Sequence, residues 1–583
     1  MADTPDPAAQ AMQSMWQASQ AWSQGFAQYL TSQRASLQQK GMGGLPPGAG
    51  SAVPPDEFNK LQQEFAARHA RLWQAQINRQ PGQPAPAVAL PEPGDRRFAA
   101  PEWTESPIYD YLRQAYLLNA EFLDKTVDAM QLADAREKSR LRFFTRQYVD
   151  ALAPSNFAAT NPEFIKTALA TQGESITAGI KNLIADIGKG SISMTDDTAF
   201  EVGCNLAMSP GAVVFENELI QLIQYSPTTK KVGERPLVMV PPCINKYYIL
   251  DLQPENSLVR YAVEQGNTVF MVSWRNPKAD LGHLSWDDYL EKGVLAALQA
   301  ARSICKVKQV NALGFCVGGT ILSSALAVAR ARGEDPAASL TLLTTLLDFS
   351  EPGELGCFID EASVQSRETT IGKGGLLKSN ELASVFSMLR ANDLIWQYVV
   401  GNYLKGNKPA AFDLLYWNAD GTNLPGPFAA WYLRNLYLEN SLRVPGKLNM
   451  CGVEVDLGRV DMPAFLYASR EDHIVPWKAS YQSRSLLGGD NTFVMGASGH
   501  IAGVINPATK NKRSYWVGDS GSGNPDEWLA GAVEHPGSWW SYWAKWLAGF
   551  AGKQRAARVR LGNTDYPAGE TAPGSYVKEK AAS

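Results

Sequence analysis

A cysteine in a glycine-rich turn is the residue best placed to do chemistry. The apolar run Val310–Cys316 ends in Gly-Phe-Cys, Val-Gly-Gly comes next, and an Ala/Leu-rich stretch follows. A strand, a Gly-x-Cys-x-Gly turn and a helix together form the elbow that holds a strained nucleophile. Glycines at 314 and 318 suit it, because Cβ atoms on either side of the nucleophile would collide. We predict that Cys316 is a nucleophile; the alternative is a structural cysteine in a tight turn.

A nucleophile of this kind needs a histidine base and an acid that orients it, in the chain order nucleophile, acid, histidine. The chain has only five histidines. Of these, His500 follows the strand-like run Thr492–Gly496 in a loop of small residues. Asp472 follows another such run, Ala464–Ala468. Order and setting therefore predict a triad of Cys316, Asp472 and His500.

Two neighbours of Asp472 are rival candidates. Glu471 could be the acid, but side chains alternate along an extended chain and would point it away from the site. His473 is either a residue near the site or an ordinary loop residue. The pattern favours Asp472 as the acid.

The elbow also needs backbone donors for the negative charge that develops on the substrate oxygen. The N–H of Val317, directly after the nucleophile, is one candidate. The second is the N–H of Ile244, in the loop after the predicted strand Pro236–Val240. Cys243 in the same loop is either a second catalytic thiol or a small apolar residue lining the pocket, and we favour the pocket residue.

The chain between the nucleophile and the acid is longer than one strand and two helices require. We predict an insertion at about 349–447 that forms a cap over a hydrophobic tunnel. The alternative is that its aromatic residues fill only the core of the insertion itself. These aromatics, which include the near-site candidate Trp417, are Phe358, Phe386, Trp396, Tyr398, Tyr403, Tyr416, Trp417, Phe428, Trp431, Tyr432 and Tyr437.

The spacing of apolar residues divides the chain into three parts. Residues 1–94 carry helical patterns at 7–42 and 56–79 separated by Pro/Gly-rich stretches, which predict a flexible helical arm. Residues 95–195 predict a helical domain. From 196 to 583, short apolar runs alternate with helix-length segments, which predicts an α/β domain with a parallel sheet covered on both faces.

Composition excludes several classes of protein. The 583 residues carry 54 Lys and Arg against 58 Asp and Glu, for a net charge of −4, which argues against a nucleic-acid-coating protein. No run of about 18 apolar residues or secretory leader is present. The six cysteines form no CxxC pair, so neither a zinc site nor a disulfide framework is expected. We expect a soluble, cytoplasmic protein with free thiols.

Several long motifs carry a family resemblance. They are Gly-Phe-Cys-Val-Gly-Gly, Pro-Pro-Cys-Ile-Asn-Lys-Tyr-Tyr-Ile-Leu-Asp-Leu, Ser-Arg-Glu-Asp-His-Ile-Val-Pro-Trp and Gly-Ala-Ser-Gly-His-Ile-Ala-Gly-Val-Ile-Asn-Pro. With Asp-Arg-Arg-Phe at 95–98 and Gly-Ser-Trp-Trp at 537–540, they resemble the class I polyhydroxyalkanoate synthases from about Asp95 to the C-terminus.

That resemblance implies an α/β-hydrolase fold that polymerises (R)-3-hydroxyacyl-CoA, chiefly 3-hydroxybutyryl-CoA, into polyester and releases CoA. It implies Cys316 as nucleophile, His500 as base and Asp472 as acid. It also implies a homodimer with a mobile cap, located at the surface of cytoplasmic polyester granules with their associated proteins. Only the thiol and the backbone donors are needed, so no metal or redox cofactor is expected; CoA is part of the substrate and a product.

Two other functions stay open at the level of sequence. A cysteine-dependent thioesterase or lactone hydrolase would use the same triad but admit water. A granule-coating scaffold would need no triad, so the intact elbow, acid and histidine argue against it.

Overall fold

The computed structural model describes residues 53–80, 82–132, 134–519, 521 and 523–581. The chain divides into two compact units. A helical unit comprises the chain up to Ser193 together with Asp360–Ser363 and Arg390–Pro409. A sheet unit comprises Met194–Ile359, Val364–Leu389 and Ala410–Ser583. In the described residues no helix is long and apolar enough to cross a membrane.

The helical unit is built from amphipathic helices whose starts the sequence marks. Asn161 caps one of them, because its Oδ1 accepts the N–H groups of Glu163 at 2.9 Å and Phe164 at 3.1 Å. The predicted helix after Asn161-Pro162 is therefore confirmed. The helices that begin in this part of the chain are α1 Pro55–Ile77, α2 Glu102–Glu105, α3 Pro107–Ala129, α4 Ala135–Ala151, α5 Pro162–Ala170 and α6 Glu174–Lys189. Short 3₁₀ and π segments are Pro154–Asn156, Asn392–Trp396 and Val399–Leu404.

Helix α1 packs against α3. The Phe65 and Phe122 rings lie 4.7 Å apart, and Arg68 pairs with Glu121 at 2.5 Å. The prediction that residues 1–94 form an arm on flexible tethers is therefore wrong for α1, which its apolar face holds in the unit. The other predicted helical stretch, 7–42, lies outside the described residues.

Helix α6 buries its polar face and exposes its apolar face, which is the reverse of the usual pattern for an amphipathic helix. Its polar face is buried: Asn182 donates to the carbonyl of Asn402 at 2.9 Å, and Asp186 accepts the Tyr403 hydroxyl at 2.7 Å. On the opposite face Ile184 is 64% exposed. Helical periodicity therefore identifies this helix correctly but not which of its faces is buried.

The sheet unit is organised around a ten-stranded sheet. In chain order its strands are β1 Gly211–Glu216, β2 Ile220–Tyr225, β3 Leu237–Val240, β4 Val269–Trp274, β5 Val310–Phe315, β6 Ala337–Leu343, β7 Ala464–Ser469, β8 Asn491–Gly496, β9 Ser514–Val517 and β10 Val533–Pro536. Their order across the sheet is β1-β2-β4-β3-β5-β6-β7-β8-β9-β10. Smaller two-stranded ladders pair Lys231–Gly233 with Gln554–Ala556, Leu376–Leu377 with Leu424–Pro425, and Asn449–Met450 with Val453–Glu454.

The sheet is mixed, so the prediction of a parallel sheet holds only for its centre. Strands β3 to β8 pair in parallel, whereas β1, β2, β9 and β10 pair antiparallel at the two edges. Antiparallel neighbours need no crossover helix, and only the short turn 217–219 separates β1 from β2. The short helix Pro525–Gly531 lies between β9 and β10, so an alternation of strands and helices does not by itself show which strands pair in parallel.

Buried clusters cover both faces of the sheet, and helices lie between most of its strands and after the last one. They are α7 Leu258–Glu264, α8 Trp286–Asp288, α9 Ala296–Cys305, α10 Val317–Ala331, α11 Glu361–Thr370, α12 Ser379–Leu389, α13 Asp413–Ala419, α14 Gly426–Tyr432, α15 Trp477–Ser483, α16 His500–Val504, α17 Pro525–Gly531 and α18 Trp540–Ala548. A π segment, Tyr289–Leu295, joins α8 to α9, and another, Leu433–Leu438, follows α14. Strands β4, β5 and β7 are buried along their whole length, which makes the sheet a rigid platform for the loops at its carboxyl edge.

The predicted insertion at 349–447 does not form one body. Its segments Asp360–Ser363 and Arg390–Pro409 belong to the helical unit, and the rest belongs to the sheet unit. In the sheet unit, Trp286 stacks on Phe428, Trp431 and Tyr432 at 5.1, 4.8 and 5.6 Å. Aromatics of the insertion thus pack on the body of the sheet unit, and not only on one another.

Candidate active site

Cys316 lies at a sharp turn between β5 and α10. Its backbone has φ 54° and ψ −129°, a conformation that L-residues avoid and that is kept only where surrounding contacts impose it. Its N–H donates to the carbonyl of Leu343 at 2.9 Å, and its own carbonyl accepts the N–H of Gly319 at 2.9 Å. The side chain is half-buried. The predicted strand–turn–helix elbow is confirmed.

The glycines around Cys316 have no room for a side chain. A Cβ on Gly314 would lie 2.4 Å from Cα of Gly319, and one on Gly318 would lie 2.4 Å from the carbonyl oxygens of Val240 and Pro241. The prediction that the turn excludes Cβ atoms is therefore confirmed. The Gly318 contact also seats the first turn of α10 directly on the end of β3.

The acid and the histidine meet at the adjoining strand ends. His500, at the start of α16, is buried, and its Nδ1 lies 2.6 Å from Oδ2 of Asp472. The other oxygen of Asp472 accepts the N–H groups of Ile474 and Val475, both at 2.9 Å. Glu471 is exposed. The geometry thus favours Asp472 over Glu471 as the partner of His500, as the sequence predicts.

The surroundings of His500 favour its protonated form. Burial alone would lower the pKa of this imidazole. The charges of Asp472 and Cys316, together with hydrogen bonds to both side chains, raise the pKa to about 10. The structure thus brings Cys316, His500 and Asp472 into one line, in which Asp472 hydrogen-bonds His500 and Cys316 is close enough to raise the pKa of His500.

Asp472→Asn is expected to lower the pKa of His500, because burial would then act against a weaker opposing charge. The measurement is an NMR titration of protein labelled at histidine, with His500→Gln identifying the resonance.

Since the folded pKa of His500 lies above the usual 6.5, the charged ring stabilises the fold fully below about pH 6.5. That stabilisation is lost as pH rises towards about 10.

Glu471→Gln is the matched control for this titration, since it removes the neighbouring but exposed carboxylate. It should leave the pKa of His500 unchanged. An Asp472→Asn protein whose His500 still titrates as in the wild type would contradict the pairing.

Two backbone N–H groups, those of Val317 and Ile244, are the candidate donors to a substrate oxygen at this site. Val317 is the first residue of α10, and Ile244 lies in the loop Pro241–Lys246, hereafter the oxyanion loop. Within the described residues neither N–H has a hydrogen-bond acceptor. The loop conformation is fixed from its other side, because the carbonyl of Ile244 accepts the N–H of Thr422 at 2.9 Å. Val317 and Ile244 can therefore still serve as the predicted oxyanion donors.

Apolar and aromatic groups surround the thiol of Cys316. Cys243 is buried, and burial raises the pKa of its thiol well above the usual value, which suits a pocket residue and not a second nucleophile. Burial likewise raises the pKa of the Tyr432 and Tyr437 hydroxyls, and both are close enough to interact electrostatically with Cys316. The half-buried thiol of Cys316 therefore lies among mostly buried apolar and aromatic side chains.

The remaining two near-site candidates play different parts. Trp417 is buried, and its indole N–H donates to the carbonyl of Lys246 at 2.7 Å, so it supports the oxyanion loop from outside the pocket. His473 is half-buried, and its backbone carbonyl accepts the N–H of Glu354 at 3.4 Å. The structure does not bring His473 into the line of Cys316, His500 and Asp472.

Sequence reasoning missed three residues around the site. Tyr432 and Tyr437 appear in the sequence only as insertion aromatics, and nothing in their spacing marks them as neighbours of Cys316. Lys246 gives a faint signal, as the one charge in an otherwise apolar or neutral run. Among the described residues no cluster of three or more His, Cys, Asp or Glu side chains could hold a metal ion.

Two family models match this chain. Residues 94–262 match the poly-beta-hydroxybutyrate polymerase (PhaC) N-terminus, and residues 236–507 match the alpha/beta hydrolase fold. A solved structure, the monoacylglycerol lipase of Paleococcus ferrophilus, aligns with a TM-score of 0.30 at 16% identity over 48% of this chain and 90% of that one.

Full-length relatives match over most of their length. The chain is 55% identical to the poly(3-hydroxyalkanoate) polymerase subunit PhaC of Cupriavidus necator, over 93% of this chain and 92% of that protein. It is 41% identical to the poly(3-hydroxyalkanoate) polymerase of Methylorubrum extorquens, over 90% and 86% respectively. With its α/β-hydrolase sheet and helical N-terminal region, the chain belongs to the poly(3-hydroxyalkanoate) polymerases, which are acyltransferases.

Proposed function

We propose that this polymerase joins (R)-3-hydroxyacyl-CoA units, chiefly 3-hydroxybutyryl-CoA, through a covalent thioester on Cys316. The observation that carries the proposal is the strained turn at Cys316, next to a buried His500 that Asp472 hydrogen-bonds at 2.6 Å. A strained, half-buried thiol beside a buried imidazole is the arrangement that acyl transfer through a cysteine requires.

The first half-reaction loads the enzyme. The Cys316 thiolate attacks the carbonyl carbon of the acyl-CoA thioester, and the oxyanion forms beside the N–H groups of Val317 and Ile244. When the carbonyl re-forms, the bond to the CoA sulfur breaks. That sulfur leaves with the proton of the His500 imidazolium, so the products are CoA thiol, neutral His500 and acyl-Cys316.

The second half-reaction extends the polymer. Loss of the thiolate charge removes one of the influences that raise the pKa of His500, so the neutral ring can now act as a base. It takes the proton of a 3-hydroxyl group, whose oxygen attacks the acyl-Cys316 carbonyl. An ester bond forms, the bond to Cys316 breaks, and the thiolate–imidazolium pair is regenerated.

Asp472 acts through His500 in this scheme. One of its oxygens is taken by the backbone N–H groups of Ile474 and Val475 and the other by His500. This arrangement supports a role for Asp472 in orienting His500, and not in taking the proton of the substrate hydroxyl directly.

A thiol suits polymerisation better than a hydroxyl would. Exchange between two thioesters is close to isoenergetic, so the acyl group on Cys316 stays activated for the next transfer. Water must be kept out until a hydroxyl arrives. The buried Cys243 and Tyr437 and the half-buried Tyr432 near the thiol supply an apolar wall for this purpose.

A hydrolase with the same triad is the closest alternative. The test supplies 3-hydroxybutyryl-CoA, follows free CoA with a thiol-reactive dye and separates the insoluble from the soluble product. Insoluble polyester together with free CoA is expected. Soluble hydroxyacid with free CoA would support a thioesterase instead, and no CoA release would support a scaffold.

The family resemblance is also the support for two further proposals. We propose that the chain works as a homodimer, and that it resides at the surface of cytoplasmic polyester granules with granule-associated proteins. Sedimentation velocity of the purified protein tests the first, and fluorescence of a tagged chain in polyester-forming cells tests the second.

A further inference from the structure

A buried lysine closes the oxyanion loop. Lys246 is only 2% exposed, yet its side chain carries an ammonium group among the apolar residues of the sheet unit. Burial lowers the pKa of Lys246 to about 8, because removing the ammonium group from water disfavours its charged form. A buried charge is costly unless it is well hydrogen-bonded, so the groups that bond the ammonium of Lys246 decide how it is held.

The partners of the ammonium group are backbone carbonyls of the C-terminal segment. Nζ of Lys246 donates to the carbonyl of Glu579 at 2.6 Å and to that of Tyr576 at 3.4 Å. We call residues Tyr576–Lys580 the C-terminal brace. Although more than 300 residues separate it from the oxyanion loop in sequence, the two are joined at this one side chain.

The brace is itself fixed to the sheet. The N–H of Tyr576 donates to Oε1 of Gln221 in β2 at 3.1 Å, and its hydroxyl donates to the carbonyl of Asn217 at 2.8 Å. Lys580, at the far end, pairs with Asp420 at 2.9 Å. The brace thus connects the sheet edge with the segment that follows α13.

Trp417, in α13 just before that segment, holds the oxyanion loop from its other side. Trp417 donates to the backbone carbonyl of Lys246 at 2.7 Å, and Asn245 donates to the carbonyl of Trp417 at 3.2 Å. Asp420 accepts the hydroxyl of Tyr248 at 2.9 Å. Lys246 therefore contacts the C-terminal brace through its side chain and α13 through its backbone carbonyl. It lies two residues from Ile244 in the oxyanion loop.

We propose that Lys246 is a positioning residue for acyl transfer, which holds the N–H of Ile244 in place by anchoring the oxyanion loop to the C-terminal brace. This inference rests on the proposed function, because it assumes that Ile244 stabilises the oxyanion. An oxyanion donor acts only when it is fixed in advance at the right distance. Trp274, Thr422 and Trp417 hold the carbonyls of Pro241, Ile244 and Lys246 in this loop, and the Lys246 side chain adds its anchor to the C-terminal brace.

The test compares Lys246→Met with Lys278→Met. Lys278 is more than half exposed and pairs with the side chain of Glu579 at 3.1 Å, but does not touch the oxyanion loop. Each variant is assayed for kcat and KM of CoA release from 3-hydroxybutyryl-CoA. In parallel, the rate of iodoacetamide alkylation at Cys316 is read by peptide mass spectrometry, since alkylation needs the thiolate but no oxyanion donor.

Lys246→Met is expected to lower kcat by at least about 30-fold, a part of the roughly 10²–10³-fold that a lost oxyanion donor costs. KM and the alkylation rate at Cys316 should stay within about threefold of the wild type. Lys278→Met should match the wild type in all three. Unchanged kcat in Lys246→Met would overturn the proposal, and so would a parallel fall of kcat and alkylation, which would indicate a general structural role.

A second pair of variants leaves Lys246 in place and decides the matter if Lys246→Met does not fold. One chain ends at Lys578 and so lacks Glu579 and Lys580, and its control ends at Ala581. The shorter chain is expected to lose kcat as Lys246→Met does, and combining both changes should add little, because they break the same contact. Full activity of the chain ending at Lys578 would overturn the proposal. Should the wild type itself form no acyl-Cys316, the proposed function would fail, and not merely this inference.

Discussion

Cys316→Ala is expected to release no CoA from 3-hydroxybutyryl-CoA and to form no polyester. The variant removes the only atom that can carry the acyl group between the two half-reactions, and no other thiol is placed to replace it. Cys243 is buried, and burial raises its pKa, so it is a poor nucleophile. Loss of activity should therefore be complete within the limit of a thiol-detection assay.

The fold should survive this substitution. Alanine meets the same backbone strain at φ 54° as cysteine does, and the side chain is only half-buried. The thermal unfolding midpoint and the circular dichroism spectrum should therefore stay close to the wild type. Cys243→Ala is the matched control and should keep acylation at Cys316. Polyester formation by Cys316→Ala would refute the assignment of the nucleophile.

His500→Gln is expected to lower turnover by at least about 10³-fold, the usual loss when the base of a triad is removed. Glutamine keeps a polar side chain of similar size, but it can neither hold a proton for the leaving CoA sulfur nor accept one from the attacking hydroxyl. Both half-reactions should slow. Rapid-quench measurement of the first CoA released, followed by the steady-state rate, separates the two.

His473→Gln is the control for this second prediction, because it changes the nearest histidine in sequence, which lies outside the line of Cys316, His500 and Asp472. Its turnover should stay within about threefold of the wild type, as a change outside the transition-state contacts requires. Wild-type turnover in His500→Gln would exclude His500 as the base, and a large loss in His473→Gln would reopen the choice between the two.

The elbow could be predicted from sequence because its determinants are local. The glycines around Cys316, the preceding apolar strand and the following helix all lie within about twenty residues, and each is required by sterics. The acid and the histidine could be found because strand ends of a parallel sheet gather at one edge, and because the chain offers few histidines.

Features that depend on long-range packing could not be read in this way. The outward-facing apolar side of α6, with Ile184 exposed, is decided by Asn182 and Asp186 bonding to residues more than 200 positions away. The edge strands β9 and β10 pair antiparallel although short helices precede both of them, so their direction is set by long-range pairing and not by the local pattern. Lys246 stands out in sequence only as a single charge in an apolar or neutral run, and its partner, the C-terminal brace, lies more than 300 residues away.

The central claim is that a thioester forms on one sulfur, and peptide mass spectrometry tests it directly. The wild-type protein is mixed with 3-hydroxybutyryl-CoA, quenched in acid within the first turnover and digested at low pH. The peptide that contains Cys316 should gain the mass of one or more hydroxybutyryl groups, and hydroxylamine should remove them. An unmodified Cys316 peptide together with released CoA, or the same mass on another residue, would contradict the account.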